Sequence, residues 1–71
     1  MEDWRKIVGL NVRRLRQAAS MTQEQLAFAA QIDLTYVGGI ERGKRNPSVM
    51  VLARIAAALA TEPATLLLHR P

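Results

Sequence analysis

The sequence predicts an all-α fold of five short helices, and three observations carry that expectation. Ala and Leu dominate a 71-residue chain that holds one Phe, one Tyr and one Trp, a helix-forming composition. Apolar residues recur at helical steps in successive segments, and the alternation of a half-buried strand is nowhere sustained. Capping residues and helix breakers fall between those segments at regular intervals.

The first helix places Trp4, Val8, Val12, Leu15 and Ala19 on one face at the 3.6-residue period, with Arg5, Arg13 and Arg14 projecting elsewhere. It is expected to stop near Ala19-Ser20-Met21. Thr22-Gln23-Glu24-Gln25 reads as a capping box opening a second helix, in which the Thr22 hydroxyl accepts from the N3 amide and Gln25 reaches back. Leu26, Ala27 and Ala30 are its small buried positions, and it ends near Ala30 or Gln31. Asp33 caps a third helix that runs to Glu41 or Arg42, where Gly43 supplies a left-handed stop. Val37 and Ile40, three apart, face inward. Gly38-Gly39 inside that helix costs roughly 1 kcal/mol per Gly relative to Ala, which marks either a close approach to the backbone or tolerated drift. After a loop over Gly43-Lys44-Arg45-Asn46-Pro47, Ser48 caps a fourth helix with Met50 or Val51, Leu52, Ile55 and Leu59 on its buried side. Glu62-Pro63 opens a fifth, because Pro is favoured at the first helical position. Leu66, Leu67 and Leu68 cannot all point inward, since consecutive helical residues lie 100° apart; at least one is exposed or covered by a partner.

Length and composition bound the rest. The chain forms a single domain over residues 1–71, and at this size only about 60% of the unfolded surface is buried, so a staple is expected. There is no Cys, and the lone His69 is the only other soft ligand, which excludes disulfides and makes a zinc or other metal site implausible. The missing Cys fits a reducing cytoplasm. No apolar run approaches the roughly 20 residues needed to span a bilayer, and charges scattered through the first turns argue against a signal peptide. The net charge of +4 suggests an anionic partner, most simply nucleic acid; the bland reading is a solvated basic surface.

The informative piece is the pair of helices at about 22–30 and 33–42, joined by Gln31-Ile32. Two short helices so tightly connected cross steeply, as in a helix-turn-helix. The second helix of that motif enters the major groove, while the N-terminus of the first offers amides to a phosphate.

Over residues 7–68 the chain resembles the Xre/Cro-type helix-turn-helix regulators, lambda repressor-like in fold. The resemblance is carried by Val12-Arg13-Arg14-Leu15-Arg16, Met21-Thr22-Gln23-Glu24-Gln25-Leu26-Ala27, Ile40-Glu41-Arg42-Gly43-Lys44-Arg45-Asn46-Pro47-Ser48 and Leu52-Ala53-Arg54-Ile55-Ala56-Ala57-Ala58-Leu59, in order and at the family's spacing. The segment from Asp33 to Arg42 also looks like the recognition segment of restriction–modification controller proteins. The resemblance implies that Gln23 grips a phosphate, that Thr35 meets base edges and that Tyr36 reaches backbone or bases. It also implies phosphate contacts from Lys44, Arg45 and Asn46, and a buried Arg16–Glu41 ion pair tying the first helix to the end of the third. Arg42 either joins the DNA face or stabilises the helix C-terminus through the dipole. Leu34 stands where a polar reader is common and is left to touch a thymine methyl. Gly38 and Gly39 also occupy reader positions, so phosphate contacts and DNA shape carry more of the binding than usual. Gln31 replaces the usual turn Gly, so the turn need not use a left-handed residue there.

The expectation is therefore a sequence-specific, double-stranded-DNA-binding transcriptional regulator. It acts as a homodimer on a near-palindromic operator, with Leu66, Leu67 and Leu68 at the subunit interface and recognition helices roughly 34 Å apart. No nucleophile elbow, phosphate-cradling loop or paired carboxylates suggest an enzyme, and no cofactor or small-molecule ligand is expected. The alternative is a protein–protein interaction module on the same fold, antitoxin-like or coactivator-like.

Overall fold

The computed structural model describes residues 2–69. Four α-helices, α1 (Trp4–Ala18), α2 (Gln23–Ala30), α3 (Leu34–Glu41) and α4 (Val49–Ala58), are followed by a 3-10 helix over Pro63–Leu67. The expected fifth α-helix is thus a single tighter turn. The Thr65 amide bonds to the Glu62 carbonyl in the i to i+3 pattern, and the last carbonyls of the segment are taken up from outside it. Both of these bonds come from Asn11, a buried α1 residue whose amide nitrogen donates to Leu66 O and Leu68 O, each at 2.8 Å.

Each α-helix begins at a side-chain cap. Asp3, Thr22, Asp33 and Ser48 accept from the amides of Arg5, Gln25, Thr35 and Val51. At α2 the capping box is complete, with the Gln25 side chain accepting from the Thr22 amide at 2.8 Å.

The helix exits share one device. Ser20, Gln31, Gly43 and Ala60 all have positive φ, of 56°, 57°, 72° and 55°. The residue after each donates back five positions: Met21 to Arg16 O, Ile32 to Ala27 O, Lys44 to Gly39 O and Thr61 to Ala56 O. These are Schellman closures, and only one uses Gly. Gln31, which stands in place of the usual turn Gly, nevertheless adopts the left-handed conformation. What holds it there is the following residue: Ile32, like Met21 after Ser20, packs against the core, and that apolar contact offsets a left-handed cost of about 1–2 kcal/mol.

The core gathers Val8 and Val12 of α1, Leu26, Ala27 and Ala30 of α2, Val37 and Ile40 of α3, Ile55 and Ala56 of α4, and Leu66. Two members of the expected first-helix face lie outside it. Trp4 is 49% exposed, because α1 enters the core only at Ile7; its ring meets His69 edge-on at 6.3 Å. Ala19 is exposed because it lies beyond the last helical residue. On α4, Met50 is 71% exposed and Val51 is the half-buried member of that pair.

The α1–α3 crossing is set by Gly9. A Cβ there would run into the Ile40 carbonyl oxygen and lie 2.9 Å from the Glu41 carbonyl oxygen. No side chain fits, so the two backbones touch and the end of α3 is fixed on α1. No helix among the described residues is long and apolar enough to cross a membrane.

Candidate nucleic-acid interface

α2 and α3 are separated by Gln31, Ile32 and Asp33, and the closure at Gln31 turns the chain sharply between them. This brings the first residue of α2 beside the last of α3. Gln23 Nε2 donates to Glu41 Oε1 at 3.1 Å, and Glu41 accepts from Arg16 as well, Nε to Oε2 at 2.6 Å and Nη2 to Oε1 at 3.0 Å. Arg16 Nη1 donates to Met21 O at 2.8 Å, so one guanidinium ties together α1, the exit before α2 and the end of α3. The pair is sequestered, with side-chain exposures of 12% for Arg16 and 4% for Glu41. Burial pushes the Glu41 carboxyl up, but hydrogen bonds from Arg16 and Gln23, then the charges of Arg16 and Arg13, outweigh it and hold the carboxyl below its ordinary value. The Arg16 guanidinium is raised, chiefly by its hydrogen bond to Glu41.

The face beyond this clamp is polar, basic and open. Leu34 and Thr35 are exposed in the first turn of α3, and Tyr36 is half-buried. Arg42, Lys44, Arg45 and Asn46 are exposed at and after its end. Gln23 is half-buried, its amide nitrogen engaged by Glu41. The Arg45 guanidinium carbon lies 4.7 Å from the Tyr36 ring centroid, a cation–π contact across the face.

Three expected site residues sit elsewhere than supposed. Gly38 and Gly39 are buried, not an open reading face, because the Arg42 and Arg45 side chains fold over them. Leu66 is fully buried in its own core; of the three leucines only Leu67 and Leu68, 45% and 49% exposed, are free to meet a second subunit. Sequence reasoning also missed two residues. Gly9 and Asn11 carry no motif signal, since their roles appear only once α1 meets α3 and the C-terminal turn.

A sharp two-helix crossing with an exposed second helix, flanked by cations and clamped from behind by a buried ion pair, defines a helix-turn-helix DNA-binding domain. The chain belongs to the helix-turn-helix family of DNA-binding transcriptional regulators: the family model described as "Helix-turn-helix" matches residues 12–66. The control protein C.BamHI of Bacillus amyloliquefaciens is 42% identical over 64 residues, covering 89% of this chain and 79% of that one. An uncharacterised HTH-type transcriptional regulator, y4dJ of Sinorhizobium fredii, is 42% identical over 57 residues, covering 80% and 74%. Among solved structures, the restriction-modification controller protein C.AhdI from Aeromonas hydrophila superposes with a TM-score of 0.85 at 44% identity, covering 87% of this chain and 94% of that one.

Proposed function

We propose that residues 1–71 act as one sequence-specific DNA-binding domain, a controller-like transcriptional regulator that places α3 in the major groove as a homodimer. The carrying observation is the surface of α3 and the loop after it: Leu34, Thr35, Arg42, Lys44, Arg45 and Asn46 are exposed together, with Tyr36 among them. Thr35 and Tyr36, in the first turn of α3, are the base-edge readers, and Leu34 meets a thymine methyl. Lys44, Arg45 and Asn46 hold phosphates, with Arg42 beside them. Gln23 reaches a phosphate with the amide hydrogen that Glu41 leaves free. Leu67 and Leu68, exposed at the end of the domain, form the isologous contact that staples a small cysteine-free fold. The reading implies a cytoplasmic protein that acts without a cofactor.

Selection of bound sequences from a random DNA pool tests this. The expected winners are near-palindromes with half-sites about one helical turn apart. If a dimer contacts about six to eight phosphates, affinity falls steeply with salt. No enrichment at low salt overturns the reading and favours the protein-interaction alternative. Sedimentation at tens of micromolar checks the dimer separately, and a monomer there removes that part.

A further inference from the structure

The Arg45 side chain takes an unusual path. Arg45 lies in the loop after α3, yet its guanidinium returns to Tyr36, in the first turn of the helix. To get there its stem crosses Gly39, which stands three residues after Tyr36 and so shares its face. A Cβ on Gly39 would lie 2.6 Å from Arg45 Cγ and 3.5 Å from Cδ. Cγ is near the root of the side chain, so this clash is not relieved by moving a flexible tip. At Gly38, by contrast, the nearest atom to such a Cβ is the Nη1 tip of Arg42, at 3.0 Å.

We propose that Gly39 is a positioning residue for DNA binding: its missing Cβ forms the seat that lays Arg45 along α3 against Tyr36 and presents the guanidinium at the groove-facing half of the helix. The inference rests on Arg45 being a DNA contact, as read above. It explains why a helix that gains nothing locally from Gly keeps one at this position. It also restores a charged group to a face that Leu34 and the two glycines leave poor in polar readers. The flat Tyr36 ring fixes the far end of the side chain, so less conformational freedom is lost when a phosphate or base edge is engaged.

The test uses the full chain in three variants, Gly39→Ala, Arg45→Ala and the double substitution, on the operator found by selection. Gly39→Ala is expected to keep the fold, read from an unchanged far-ultraviolet dichroism spectrum, and to weaken DNA binding by about five- to tenfold. The slope of log affinity against log salt falls by about 1 for each Arg45 displaced. In the Arg45→Ala background the same change at position 39 is expected to cost nothing further, because the seat then has no occupant. Equal losses in both backgrounds overturn the proposal and make residue 39 a direct steric contact with DNA. The seat itself is read without DNA: ring current from Tyr36 shifts the Arg45 side-chain proton resonances upfield in the parent protein, and Gly39→Ala abolishes that shift. If the shift is present but Arg45→Ala leaves DNA affinity unchanged, the contact reading fails while the seat stands; if the shift is absent from the parent protein, the seat fails.

Discussion

On its inner side α3 meets α1 backbone to backbone at Gly9, and its last residue is locked by the buried Arg16–Glu41 pair. On its outer side it is touched by Arg42 and Arg45, exposed side chains that fold back over Gly38 and Gly39. Both sides use glycine to allow close approach, but what approaches differs. A carbonyl oxygen held by helix packing cannot move without moving the helix, whereas a side chain can rotate away. Glycine on the inner side therefore serves the fold, and glycine on the outer side leaves stability alone and is free to serve the surface.

Four measurements break or sharpen that contrast. The largest effect is expected from Glu41→Ala, which strands a buried guanidinium and releases Gln23; it costs about 3–5 kcal/mol and unfolds or loosens the domain. An unchanged melting temperature would remove the inner clamp from the argument. Next, Gly9→Ala forces α1 and α3 apart and costs about 1–3 kcal/mol in a denaturant titration, despite the better helix propensity of Ala. A neutral result would mean that the crossing has slack. Third is the pH dependence. The Glu41 carboxyl is held below 4.5, its ordinary value, in the folded chain, so the unfolded state takes up protons first as pH falls. The pair's contribution is fully present above that pH and is lost as pH drops through the lowered folded value. Glu41→Gln, which removes the titrating group, is expected to flatten this acid-side loss, and parallel acid curves for the two proteins would contradict it. The smallest effect is Gly39→Ala on stability: a melting temperature within a few degrees of the parent, because the gain in helix propensity of roughly 1 kcal/mol opposes the displacement of one exposed side chain.

Most of the helix starts were legible in the sequence. Asp33, Ser48 and the Thr22–Gln25 box announce their helices through bonds made within three residues, and local bonds of this kind need no tertiary context. The Arg16–Glu41 pair was legible only through the resemblance, since nothing local relates two residues twenty-five apart. The exits were half legible. Gly43 signalled its left-handed turn, but Ser20, Gln31 and Ala60 make the same turn without Gly. Their signal was the residue after each, and at Ser20 and Gln31 that residue is apolar, Met21 or Ile32. Asn11 gave no warning, because a polar residue on a helix is ordinarily a solvated one. Its burial follows from two carbonyls of a turn more than fifty residues away.

The sequence by itself determined the all-α class, the order of the helices, their starts and the cation-rich segment after α3, because caps, periodicity and charge are properties of neighbouring residues. Only the tertiary structure decided that Gly9 sets a backbone contact, that Trp4 stays outside the core while Leu66 enters it, and that Gly38 and Gly39 lie beneath arginines. These outcomes depend on which surfaces meet at a helix crossing, and a crossing exists only after distant segments have packed.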